Sequence, residues 1–87
     1  MSEEVTVFTL LNDIKVIKEF VSKVSFCKGN VDIKSADEHY TVDGKSIMGI
    51  FSLDLSKPVC VYFHNKEDYD DMFDFMNSNF PAIAVNR

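Results

Sequence analysis

Alternation comes first along the chain: from Glu4 to Leu10, Val5, Val7 and Thr9 fall on one side and Thr6, Phe8 and Leu10 on the other. A period of two with one face more polar than its reverse predicts a short strand. Leu11-Asn12-Asp13 ends it, and Asn12 or Asp13 is a helix cap. Ile14, Ile17, Phe20, Val21 and Val24 then follow the 3.6 period, with Lys15, Lys18, Ser22 and Lys23 opposite. This predicts an amphipathic helix closing near Gly29-Asn30. Val31 to Ser35 alternates strictly and His39 to Val42 loosely, so the two predict a hairpin turning at Asp37-Glu38 and broken at Asp43-Gly44. Ser46 opens a short apolar helix that runs to about Leu53. Pro58 leads the β-prone run Val59 to His64, whose poor alternation marks a central strand. From Asn65 a last helix extends to about Phe80, with Tyr69, Met72, Phe73, Met76 and Phe80 on one side and Glu67, Asp70, Asp71 and Asp74 largely on the other. Its early acids suit the positive end of the helix dipole. Pro81 stops it, and residues Ala82 to Arg87 form a tail with no assigned role.

The order β-α-β-β-α-β-α in a chain of 87 residues predicts one α+β domain. Its expected form is an open-faced β-sandwich, a four-stranded antiparallel sheet with three helices on one face. At this size folding hides only about 60% of the extended chain's surface, which argues against a large enzyme cleft. Eight phenylalanines and no tryptophan supply enough apolar bulk for a core without metals or bridges.

Charge and composition narrow the function. A net charge of -5 repels a phosphate backbone, and no Lys/Arg cluster interleaved with aromatics offsets it, so direct nucleic-acid binding is not expected. The acidic start Met1-Ser2-Glu3-Glu4 does not match a signal peptide, and no run approaches the ~20 apolar residues that cross a bilayer. A cytoplasmic protein without membrane contact is expected. Its two cysteines, Cys27 and Cys60, are then reduced thiols. Cys27, Cys60, His39 and His64 lack paired ligand spacing, so no metal site is expected, and no cofactor. Gly44-Lys45-Ser46 imitates the end of a phosphate-binding P-loop, but His39 stands where the first glycine belongs. The acidic face of Asp70, Asp71 and Asp74 reads as a solvated helix surface.

The element order, together with Lys45-Ser46-Ile47-Met48-Gly49-Ile50 and the following Ser52-Leu53, resembles the HPr-like family, the small phosphocarriers of the bacterial sugar phosphotransferase system. The resemblance implies that Ser46 is a regulatory phosphorylation site. It also implies a docking surface for partner proteins, for which Ile47, Met48 and Phe51 are the candidates, with Lys15 and Lys45 beside them; Ile50 and Leu53 are expected in the core. The physics is compatible, since a phosphate before a helix meets unpaired backbone N–H groups, and Ser46 serves as an N-cap in either case.

The resemblance breaks at the family's catalytic Gly-Ile-His-Ala-Arg-Pro type motif, where this chain has Asp13-Ile14-Lys15-Val16-Ile17-Lys18. Lys15 occupies the position of the phosphoryl-accepting histidine and Ile17 that of the clamping arginine. A lysine with a reference pKa near 10.4 stays protonated and offers no lone pair, so no catalytic residue is assigned. Lys15 and Lys18 read as a solvated helix face that is able to hold an anion without relaying it. His39 and His64 lie without a basic clamp, and the sole arginine is Arg87. The expected function is therefore that of a regulatory and interaction protein rather than an enzyme, similar to the Crh-type relatives that lack the histidine. The partners implied are the HPr kinase/phosphorylase and a catabolite-control transcription regulator. Two alternatives stand beside it: a silent interaction domain without phosphorylation, and a phosphocarrier using His39 or His64.

Overall fold

A computed structural model describes residues 4–37 and 39–86. Glu38, in the expected hairpin turn, the acidic start Met1 to Glu3 and the arginine Arg87 lie outside the described residues. The chain forms β1 (Val5–Thr9), α1 (Ile14–Val24), β2 (Val31–Ser35), β3 (Thr41–Asp43), α2 (Ile47–Phe51), β4 (Val59–Phe63), α3 (Lys66–Asn79) and β5 (Ala84–Asn86). The fold is α+β, an antiparallel open sheet ordered β3-β2-β4-β1-β5 with three helices, compatible with an open-faced sandwich.

The strand register explains the core. Val5 faces Phe63, Val7 faces Val61, Val31 faces Phe63 and Ile33 faces Val61 across neighbouring strands, so these side chains share one side of the sheet. They are buried in one cluster with Ile17, Phe20 and Val24 of α1, Ile50 of α2 and Tyr69, Met72 and Met76 of α3. β4 is central, paired on both edges. Its weak alternation has a cause: Cys60 points to the opposite side of the sheet yet is also buried. Thr9 falls on the core side with its hydroxyl satisfied, donating to the carbonyls of Phe80 and Pro81 at 3.0 Å.

Five expectations need correction. Among the described residues the sheet has five strands rather than four, because Ala84–Asn86 pairs with the outer edge of β1, and the Ile83 N–H donates to the Phe8 carbonyl at 2.7 Å. Three residues without alternation carry no strand signature; backbone groups left open on β1 select them. α1 stops at Val24 instead of near Gly29, since the amides of Lys28 and Gly29 are taken by the Asp68 carboxylate at 3.0 and 2.8 Å. Ile14, the first residue of α1, is exposed although it keeps helical phase with the buried Ile17, Phe20 and Val24. Phe73 also lies exposed, its ring against Tyr69 at 5.8 Å. Strand β3 begins at Thr41 rather than His39, leaving His39 and Tyr40 in the exposed connection.

The Ser46 segment as candidate functional site

The segment is set by its backbone before its side chains. The Gly44 N–H donates to the Val31 carbonyl at 2.6 Å, and a Cβ built on Gly44 meets that same oxygen at 2.8 Å. Only glycine brings the chain this close to β2. Asp43 then accepts the Lys45 N–H at 2.8 Å, and Ser46 takes an extended conformation as N-cap of α2. Its Oγ accepts the Gly49 N–H at 3.2 Å. Gly49 has a second role, because a Cβ there would stand 3.2 Å from Val42 Cβ and 3.3 Å from Ser46 Oγ. Glycine thus lets the short helix lie on β3 while leaving room around the serine oxygen.

The apolar candidates of α2 separate by phase. Ile50 is fully buried and Leu53 nearly so, as expected for core positions. Met48 is 78% exposed and Phe51 40% exposed. Ile47 departs from the surface role expected of it: it is half-buried and packs against the core, because it lies three positions before the buried Ile50 and so shares its face of the helix. The exposed docking candidates are therefore Met48 and Phe51.

The basic residues do not converge on Ser46. Lys45 is half-buried, and its Nζ donates to the Cys27 carbonyl at 3.4 Å. Lys15 is exposed in the first turn of α1, its N–H on the Asp13 cap at 3.1 Å. Ile17 is entirely buried, a core position.

Each histidine is paired with a carboxylate. His64 Nε2 lies 2.8 Å from Asp32 Oδ2, and the neighbouring Tyr62 ring packs edge-on at 4.9 Å. Tyr62 in turn hydrogen-bonds Glu4, which raises its phenol above the ordinary value. His39 Nδ1 lies 3.3 Å from Asp37, with both side chains exposed. Among the described residues one carboxylate lies against each ring.

Two features escaped the sequence pattern. Asp68, 1% exposed on α3, also accepts the Asn65 side-chain amide at 3.0 Å, while Asn65 Oδ1 caps the Asp68 N–H at 2.8 Å. An Asn followed three residues later by an acid is a capping signature that sequence alone holds. The other is a groove joining residues distant in sequence, which no local spacing announces. The thiol of Cys27 is pushed up to about 11, chiefly by burial and next by Asp68, which keeps it protonated and unreactive near neutrality. Among the described residues no group of three or more His, Cys, Asp or Glu is arranged to hold a metal, and no helix is long and apolar enough to cross a membrane.

No family model, no curated protein and no solved structure matches this chain.

Proposed function

We propose that the chain is an HPr-like regulatory and interaction protein of the bacterial phosphotransferase system, modified on Ser46 and unable to carry a phosphoryl group on histidine. The observation that carries the reading is the placement of Ser46 as the cap of a short helix whose next surface residues, Met48 and Phe51, are exposed. A phosphate on Ser46 adds a charge of about -1.5 to -2 at neutral pH directly beside that apolar patch. Regulation by the kinase then consists of converting an apolar contact surface into an apolar surface with an anionic edge. A regulator with a basic residue next to an apolar pocket reads the difference. Lys45, next to Ser46 in sequence, donates to the Cys27 carbonyl at 3.4 Å and keeps further N–H donors for such a phosphate.

Loss of carrier chemistry follows from three residues. Lys15 is no imidazole, Ile17 is buried, and the His64 imidazole lies 2.8 Å from Asp32. The implied partners are the HPr kinase/phosphorylase and a catabolite-control regulator.

Intact mass after separate incubation with the kinase plus ATP, and with enzyme I plus phosphoenolpyruvate, tests the proposal. One phosphate from the kinase, lost in Ser46→Ala, with none from enzyme I is the expected result. A phosphate gained from enzyme I refutes the loss of carrier function. No mass change in either reaction sinks the phosphorylation reading and leaves an interaction domain acting through Met48 and Phe51 alone.

A further inference from the structure

At the far end of α2, away from Ser46, an open groove of about 580 Å³ separates the β2–β3 connection from the α2–β4 connection. Ser35, Asp37 and Tyr40 form one wall, and Leu53, Asp54 and Lys57 the other. The Tyr40 side chain is 67% exposed, a large ring kept at the surface, whereas Leu53 is nearly buried and gives the groove an apolar base. Among the described residues two carboxylates and the Lys57 ammonium line it; Lys57 lies 3.9 Å from Asp54, and His39 Nδ1 lies 3.3 Å from Asp37.

Both carboxylates are fixed in orientation. Asp37 accepts the Ser35 hydroxyl at 2.6 Å and the His39 N–H at 3.1 Å, and Asp54 accepts the Ser56 hydroxyl at 2.6 Å and its N–H at 3.1 Å. These serine hydroxyls, followed by the backbone N–H groups, hold each carboxyl below its ordinary range, so both are anionic at neutral pH. The combination of an exposed aromatic face, an apolar base and two oriented anions is complementary to a flat cation. A guanidinium stacks on a tyrosine ring while its N–H fork meets a carboxylate, and its methylene stem covers apolar surface. An ammonium has neither the plane nor the fork.

We propose that this groove receives an arginine side chain presented by an extended segment of a partner protein. The interaction is independent of Ser46 modification, since it uses none of the residues on which the regulatory reading rests. It gives the domain a second contact surface besides the one formed by Met48 and Phe51. The groove is open to water, so single-residue affinity is weak and its use lies in selecting and orienting a partner.

The test is an amide-shift titration of the unmodified full chain with acetyl-Gly-Arg-Gly-amide, with the lysine and citrulline tripeptides run in parallel. Saturable shifts centred on Ser35, Tyr40 and Ser52, stronger for arginine than for lysine and absent for citrulline, are expected. Tyr40→Ala and Asp37→Asn should each weaken the arginine peptide by roughly threefold to tenfold, in line with exposed cation–π and ion-pair contributions. The Asp37→Asn variant keeps an oxygen acceptor for the His39 N–H, so the turn survives and the fingerprint spectrum reports it. Equal binding of lysine and arginine, binding unchanged in both variants, shifts centred on Met48 and Phe51, or no shift up to the solubility of the peptide each overturn the proposal.

Discussion

Replacing Asp68 tests whether a single buried carboxylate joins α3 to the α1–β2 connection. The side chain is 1% exposed and accepts three hydrogen bonds, from the backbone N–H groups of Lys28 and Gly29 and from the Asn65 amide. Hydrogen bonds to a charged group contribute about 1.5–3 kcal/mol each, and an orphaned buried donor costs about 1–3 kcal/mol. Asp68→Ala removes the acceptor from all three donors, two of them backbone groups that have no second partner by simple rotation. Discounting for water reaching the partly buried Lys28 amide, the loss is about 3–5 kcal/mol. For a domain of 87 residues, whose total stability is on the order of 4–13 kcal/mol, that is a large fraction. Asp68→Asn keeps one oxygen acceptor but places an NH₂ against a donor, and is expected to lose about half as much. With a urea slope of about 1–3 kcal/mol/M, the alanine variant's midpoint falls by roughly 2 M. Asp74→Ala, exposed on the same helix, serves as the control and should stay within about 0.5 kcal/mol. A loss below about 1 kcal/mol for Asp68→Ala, with the slope unchanged, refutes the reasoning: the connection would then be held by packing, and the early end of α1 would need another cause.

Two further predictions concern neighbouring residues. Cys27, held protonated by burial with its pKa raised from 9.0 to about 11, should react slowly with iodoacetamide at about pH 7.5, its rate climbing toward pH 11. Because the folded value is the higher one, this thiol's contribution to stability is fully present below pH 9 and is lost as pH rises toward 11; an alkylation rate constant already at half its maximum near pH 9 in the folded protein contradicts it. Gly44→Ala forces a methyl to within 2.8 Å of the Val31 carbonyl, so β2 must shift, at a cost of about 1–3 kcal/mol in denaturant melts; an unchanged midpoint would show that the turn relaxes freely.

Much of the architecture was legible along the chain because its signals are local. The Ile17-Phe20-Val24 stripe, the Ser46 cap, the helix start at Asn65 and the Val59–Phe63 run each state their element within a few residues, and the core follows from their phase. The position of Ser46 before an apolar turn, the exposure of Met48 and Phe51 and the burial of Ile50 and Leu53 were readable in the same way. What the tertiary structure decided depends on partners far apart in sequence. β5 exists because β1 has an open edge, α1 ends early because Asp68 claims two amides beyond it, and Ile47 packs inward because it shares the face of α2 that Ile50 buries in the core. The groove between Tyr40 and Asp54 joins two connections that hold no shared pattern. Local propensity and periodicity act over one or two turns of chain, whereas these four features arise from the satisfaction of backbone groups and the meeting of surfaces, which only the assembled fold brings about.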